Sequence, residues 1–254
     1  MRALITGGTS GLGAAFARAL ASRGDDLVLV ARDEPRLHAF AEELRAAHGV
    51  EVDVLRADLA VKDDLMAVAR VVESRDRPID VLVNSAGFGV HRKLLDPGVE
   101  GHAYALDVMC YAILVLSGAA GRAMRMRGRG QIVNLSSIAG WTMQGHYSAI
   151  KAWVRSYSES LANELRGTGV RVTVACPGWV RTEFHERANI RTTAIPAWVW
   201  QDADPVVASI LADAAKGRIV SIPGAGWKIA RLGLKLAPTA AVRAVSRALV
   251  RSRD

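Results

Sequence analysis

Seven short apolar runs recur along the chain: Arg2–Thr6, Leu27–Ala31, Val52–Arg56, Val81–Asn84, Gln131–Leu135, Val170–Ala175 and Arg218–Ile222. Each is too short for a helix and rich in Val, Leu and Ile, so each reads as a buried strand. Between them the apolar positions fall at helical spacing, over about 11–23, 34–48, 61–76, 100–127, 147–166 and 204–216. Strands that alternate with helices and are apolar on both sides predict an α/β fold, a parallel sheet with helices on both faces. Ser22-Arg23-Gly24 is a helix stop, with glycine just past the last turn. No internal repeat or low-complexity linker breaks the pattern. The stretch 183–203 has no clear period and holds Phe184, His185, Trp198 and Trp200; it predicts a long loop or small helices acting as a substrate lid.

Composition narrows this picture. Of 254 residues half are hydrophobic, enough for one large core. Cys110 and Cys176 are far apart, form no CxxC pair and fit a reducing, cytoplasmic setting. The histidines are scattered and give no metal site. Met1 to Thr6 runs straight into a glycine-rich loop, which leaves no room for a signal peptide. No uninterrupted apolar run reaches the roughly 20 residues of a membrane span. The net charge of +8 is concentrated at one end: nine basic residues and a single acid, Asp254, lie from Lys216 onward, so residues 1–215 are neutral overall. A basic domain can signal nucleic acid, but here the excess lies outside the motifs that carry chemistry, and nucleic acid is not expected as a partner.

The loop Thr6-Gly7-Gly8-Thr9-Ser10-Gly11-Leu12-Gly13 follows the first strand and opens a helix near Ser10. Its backbone N–H groups and the helix N-terminus suit a dinucleotide pyrophosphate. Glycines at 7, 11 and 13 permit a tight turn and close backbone approach. The second strand ends at Val30-Ala31-Arg32-Asp33. An acid at that tip grips a ribose 2′-hydroxyl, whereas the guanidinium of Arg32 pairs with a 2′-phosphate, so NADP(H) is expected over NAD(H). If Arg32 is only a solvated helix-entry residue, Asp33 takes the ribose instead. Asp58 and Leu59 follow the third strand and either meet the adenine or cap the next helix. Asn84, Ala86 and Gly87, after the fourth strand, are small enough for close cofactor approach or for a plain turn.

Tyr147 and Lys151 lie four residues apart within a predicted helix, on one face. A nearby cation favours the phenolate and lowers a tyrosine pKa of about 10, and a tyrosine so tuned can exchange a proton with a substrate oxygen. With the glycine loop this points to hydride transfer between a nicotinamide and a carbonyl or alcohol. The five segments Thr6–Gly13, Asn84–Gly87, Asn134-Leu135-Ser136-Ser137, Tyr147-x-x-x-Lys151 and Cys176-Pro177-Gly178 occur in this order over about residues 1–224. The chain thereby resembles the short-chain dehydrogenase/reductase family. The resemblance implies a Rossmann-type, doubly wound seven-stranded sheet and an NAD(P)-linked carbonyl or alcohol reaction. It implies Tyr147 as general acid/base and Lys151 as the residue that holds the nicotinamide ribose and lowers the tyrosine pKa. It further implies Ser137, with Ser136 as runner-up, as the hydroxyl that orients the substrate oxygen, and Pro177, Gly178 and Thr182 as the nicotinamide-holding segment. Dimers or tetramers are also implied.

One position departs from that family. Its usual asparagine in the long helix before the fifth strand, thought to hold a water that links the lysine to solvent, falls on Met109 when counted without gaps. A thioether is a weak acceptor and no donor. Asp107 is the counterpart only if the register shifts. Three outcomes follow: a relay through other waters, a substrate route that needs none, or a non-catalytic NADP(H)-binding relative. The segment between Ser137 and Tyr147 is shorter than usual, so Trp141, Met143, Gln144 and His146 are expected on the substrate wall. With Phe88, Trp179 and Phe184 they predict a lipophilic ketone, aldehyde or secondary alcohol. Residues 1–224 therefore read as the catalytic domain and 225–254 as a basic amphipathic helical extension. In that extension Lys228, Arg231 and Lys235 are spaced helically, Pro238 breaks the run, and Arg243, Arg247 and Arg251 mark a face opposed to Val242, Val245 and Leu249. Such helices either cover the substrate pocket or a subunit interface, or lie on an anionic membrane surface.

Overall fold

The computed structural model describes residues 1–90, 92–184 and 196–251. Seven parallel strands form the sheet: β1 (Arg2–Thr6), β2 (Asp26–Ala31), β3 (Val52–Arg56), β4 (Val81–Asn84), β5 (Gly130–Leu135), β6 (Val170–Ala175) and β9 (Val220–Ser221). Their spatial order is β3-β2-β1-β4-β5-β6-β9. The chain thus winds outward from β1 in one direction, then returns to β4 and winds outward in the other. Ligands of such sheets bind beyond the carboxyl ends of the strands where the order reverses, here between β1 and β4. Register brings the two strand ends level: Thr6 pairs with Asn84.

Alternate strand residues feed opposite faces, as a pleated backbone requires. Ala3, Ile5, Leu27 and Leu29 pack with Phe16 and Leu20 of α1 (Gly11–Ala21), Leu37 and Leu44 of α2 (Glu34–His48) and Ile210 and Leu211 of α7 (Ala203–Ala215). Leu4, Val28, Leu82 and Ile132 pack on the other face with Leu65 and Val68 of α3 (Lys62–Glu73) and Leu116 and Met124 of α5 (Ala112–Arg127). The partly buried Leu161 of α6 (His146–Glu164) joins this second cluster. The sequence dictates several ends. The Asp33 carboxylate accepts from the Arg36 N–H to start α2, which stops at Gly49 in the left-handed region; α5 stops in the same way at Gly128.

The predicted helix over 100–127 is interrupted. It consists of α4 (Glu100–Leu106), a π-turn over Asp107–Tyr111, and α5. This is the one described helical run long and apolar enough to cross a bilayer, and more than half of its most apolar window is buried inside the fold. Two short strands went unpredicted: β7 (Trp179–Arg181) and β8 (Trp200–Asp202) pair in parallel as a separate two-stranded sheet. Of the expected lid, residues 185–195, with His185, lie outside the described residues. The tail forms α8 (Ala225–Leu236) and α9 (Thr239–Arg251), and it sits against the body. Trp227 joins a core cluster with Val154, Val174, Cys176 and Ile222, and Ser246 Oγ accepts from the Met143 N–H at 3.0 Å. Val245 and Leu249, expected on the apolar face of α9, have side chains outside the described set.

Candidate active site

A cavity of about 1430 Å³ lies along the strand ends at the sheet reversal. The glycine loop forms its floor at one end. Gly7 has φ +65°, and a Cβ there would meet Ala86 Cα at 2.9 Å. A Cβ on Gly13 would lie 2.1 Å from the Gly7 carbonyl oxygen, so this glycine is needed for packing of the loop on its own helix. Thr6 Oγ1 ties the loop to the next segment by accepting from the Ser85 and Ala86 N–H groups, each at 3.1 Å. Gly7, Thr9, Ser10, Gly11 and Leu12 line the cavity. Gly13 does not.

At the rim, exposed Arg32 donates to Tyr104 Oη at 2.6 Å, and Tyr104 in turn donates to Asp58 at 3.1 Å. All three line the cavity. Burial pushes the Tyr104 hydroxyl above its usual pKa, so it remains a donor. Asp58 does not cap α3, whose N-cap is Val61; it accepts instead from the Ala60 N–H at 3.0 Å, a local turn that holds its carboxylate toward Tyr104. Asp33 lines the cavity as well, and its Oδ1 caps α2 by accepting from the Arg36 N–H at 3.0 Å. Arg36, which the sequence did not single out, also lines the cavity; its guanidinium spans from the Thr9 carbonyl at 3.0 Å to Glu183 at 2.6 and 3.1 Å.

Asn84, expected beside a cofactor, is turned away from the cavity. Its amide donates to Asn134 Oδ1 at 2.8 Å and Ser117 Oγ at 3.1 Å in a buried network, which Asn134 extends to Ser158 Oγ at 3.0 Å. Strand ends are close together here, and the polar side chains satisfy one another beneath the cleft. Leu59, Ala86 and Gly87 line the cavity.

Tyr147, Lys151, Ser136 and Ser137 converge at the other end. Lys151 is buried and donates from Nζ to the Leu135 carbonyl at 2.9 Å, with Nζ 5.6 Å from the Tyr147 ring centroid. Burial lowers its pKa to about 8. The two serines divide their tasks. Buried Ser136 spends its hydroxyl on the Lys151 carbonyl at 2.6 Å. Ser137 caps a short 3-10 turn, accepting from the Ala139 N–H at 3.1 Å, and makes only a long 3.4 Å bond to the Pro177 carbonyl. Pro177, Gly178 and Thr182 complete this wall. Trp227 of α8 lies so close over Gly178 that a Cβ there would fall 1.9 Å from the indole.

Met109 is fully buried in the π-turn. A Cβ on Gly87 would meet its Sδ at 3.2 Å and Lys151 Nζ at 3.7 Å, so thioether and ammonium flank one glycine. Met109 is thus the residue of the π-turn seen beside Gly87 and Lys151, although neither it nor Asp107 lines the cavity. The expected substrate wall needs correction. Phe88, Gln144, Trp179 and Phe184 line the cavity, but Trp141, Met143 and His146 do not. The guanidiniums of Arg155 and Arg231 lie over the Trp141 ring, at 5.1 and 5.7 Å from its centroid. Met143 is half exposed, and His146 packs edge-on against His102. Thr142 and, from the tail, Trp227, Leu234 and Val242 take their place. These tail residues put the basic extension against the cavity, one of the positions its sequence allowed. Among the described residues no cluster of three His, Cys, Asp or Glu could hold a metal ion.

A family model described as short chain dehydrogenase matches residues 1–192. The short-chain reductase protein NovJ of Streptomyces niveus is 36% identical over 220 residues, covering 85% of this chain and 80% of that protein. Among solved structures, a short-chain dehydrogenase from Sphingobium yanoikuyae in complex with NADPH superposes with a TM-score of 0.82 at 34% identity, covering 92% of this chain and 94% of that one. A bulky-bulky ketone specific alcohol dehydrogenase from Comamonas testosteroni superposes with a TM-score of 0.78 at 30% identity, covering 94% and 95%. The chain belongs to the short-chain dehydrogenase/reductase family and is an NAD(P)-linked oxidoreductase.

Proposed function

From that membership we propose that the enzyme is an NADP(H)-dependent reductase of lipophilic ketones and aldehydes, and in reverse a dehydrogenase of the matching alcohols. The observation that carries the reading is the convergence of Tyr147, Lys151 and Ser137 with the glycine loop on one cavity. The residues fit a dinucleotide: Gly7 and Gly11 line the cavity with φ of +65° and +50°, leaving bare backbone just before and at the start of α1. Once bound, the nicotinamide supplies or accepts the hydride. Tyr147 hands a proton to the substrate oxygen as it gains negative charge, and takes it back in the reverse direction. The Ser137 hydroxyl, only weakly engaged, orients that oxygen. The Lys151 ammonium favours ionisation of Tyr147 and holds the ribose. Met109 offers no donor and a weak acceptor, so Tyr147 is resupplied through water in the cavity rather than past this helix.

Several observations support the finer points. Arg32 sits at the rim while Asp33 is occupied by the start of α2, which favours a 2′-phosphate, and one relative is solved with NADPH. Phe88, Trp179, Phe184, Trp227 and Leu234 offer apolar walls, and another relative is specific for bulky ketones. In this reading residues 1–224 hold the catalytic machinery and α8–α9 roof the substrate end. Leu106 of α4, Leu114 of α5 and Trp153 of α6 are exposed apolar side chains, which suits a homo-oligomer. Two free, buried thiols suit a cytoplasmic setting.

The test is NADPH oxidation against a panel of bulky hydrophobic ketones and small charged keto acids. Wild type, Tyr147→Phe and Met109→Asn are compared. The expected result is turnover of hydrophobic ketones by wild type and its loss in Tyr147→Phe, with NADPH binding kept. Preference for charged keto acids would refute the substrate class. Turnover only in Met109→Asn would put the non-catalytic reading first.

A further inference from the structure

Helix α8 presents two opposed faces. Trp227, Arg231 and Leu234 are half-buried and turn inward; Trp227 and Leu234 line the cavity, and Arg231 lies over the Trp141 ring. On the far side Ala225, Ile229, Leu232 and Leu236, spaced four, three and four residues apart, form one stripe along the helix. Ile229 is 71%, Leu232 52% and Leu236 74% exposed. Lys228 and Lys235, seven residues apart on the flank of this stripe, are also exposed. In α9, Val242 and Ser246 turn inward while Arg243 and Arg247 face solvent. The inner contacts fix the two helices, so the outer apolar stripe and its basic flank are held in place.

We propose that this outer surface of α8, assisted by Arg243 and Arg247 of α9, docks on an anionic lipid bilayer. The charge decides the occupant. Lys228, Lys235, Arg243 and Arg247 are exposed on the two helices, and neither helix contains an acid. A second copy seated on the same stripe would set this basic surface against itself, and like charges brought together at an interface oppose association. An anionic bilayer satisfies both parts of the surface: the stripe enters the acyl boundary, and the lysines extend to the headgroups. Since α8 is also a wall of the cavity, docking would leave about one helix diameter, roughly 10 Å, between lipid and the proposed substrate end. That last consequence rests on the proposed function; the docking itself does not.

The experiment is flotation of the full-length protein with phosphatidylcholine vesicles, with and without phosphatidylglycerol, at low and high salt. Flotation is expected only with the anionic vesicles and should weaken with salt. Ile229→Ser/Leu232→Ser/Leu236→Ser, and separately Lys228→Glu/Lys235→Glu, should each lower partitioning more than about tenfold. None of these residues lines the cavity, so NADPH binding, read by nicotinamide fluorescence, should not change. No flotation at low salt overturns the proposal. So does undiminished flotation of the triple serine variant. A lipid-free mass that is oligomeric in wild type and falls in that variant would assign the stripe to a second copy. A protein that floats but reduces no ketone would sink the proposed function alone.

Discussion

Lys151→Met should make the cofactor-free protein more stable at neutral pH while abolishing its activity. The lysine is only 5% exposed, and burial takes its pKa from 10.5 to about 8. At about 1.4 kcal/mol per pKa unit, holding the ammonium folded at pH 7 costs about 3 kcal/mol. Methionine has similar length and no charge, so it removes that cost. It also orphans the Leu135 carbonyl, which accepts from Nζ at 2.9 Å, at about 1–2 kcal/mol. The net gain is about 1–2 kcal/mol, or about 2–8 °C in Tm for a chain of this size. Its pH dependence identifies the cause. Below pH 8 the lysine is charged in both states and the cost is complete. Between about 8 and 10.5 the folded protein has released the proton that the unfolded chain still binds, so wild-type stability rises with pH and the variant's advantage fades. Urea unfolding at pH 7 and pH 9.5, followed by tryptophan fluorescence, measures both. A variant no more stable than wild type at pH 7, or a difference unchanged at pH 9.5, would refute the reasoning and mean that water in the cleft already solvates the ammonium.

Other substitutions probe separate parts of the cleft. Arg32→Ser should raise KM for NADPH about 10–100-fold and leave KM for NADH nearly unchanged; equal changes would remove Arg32 from 2′-phosphate recognition. Gly13→Ala should cost at least about 1–3 kcal/mol, because its methyl would lie 2.1 Å from backbone oxygen. Gly226→Ala on α8, with nothing within 4 Å of its Cβ position, should instead be neutral or stabilising by up to about 1 kcal/mol; thermal melts of the pair give the contrast. Met109→Asn should change kcat more than KM, since it alters the surroundings of Lys151 rather than the substrate walls; a change in KM alone would show that Met109 shapes the binding site.

The strands were legible because a parallel sheet buried on both faces leaves no choice but continuous apolar runs. The weakest case lies at the sheet edge. The run Arg218–Ile222 contributes only Val220–Ser221, since Arg218 turns to Asp213 at 2.7 Å and its carbonyl accepts from Thr173. The π-turn at Asp107–Tyr111 was hidden for a different reason. It lies within an apolar stretch whose pattern continues on both sides, and widening one turn needs no helix-breaking residue. β7 and β8 are three residues each and pair across the lid segment, too short for a period to register. Arg36 and Tyr104 reach the cleft by side chains that bridge separate elements, to Thr9 and Glu183 and to Arg32 and Asp58. Neither bridge leaves a local trace in sequence.

The misread substrate wall shows what separates a motif from a surface. Trp141 was expected on the wall because it lies in the short segment between Ser137 and Tyr147, but position near a motif does not fix direction. Its ring instead meets two guanidiniums, Arg155 from α6 and Arg231 from α8, and packs against a core cluster. Its neighbours Thr142 and Gln144 face inward instead, and Thr142 Oγ1 accepts from Gln144 Nε2 at 2.7 Å. The aromatic surface lost there is restored by Trp227, some eighty residues downstream, lying over Gly178. The basic tail therefore has one chemistry on each side. Arg231 turns inward onto Trp141, while Lys228 and Lys235 remain exposed. Summed along the sequence these three charges look alike, and only the helix phase separates the one that builds the site from the two that face outward.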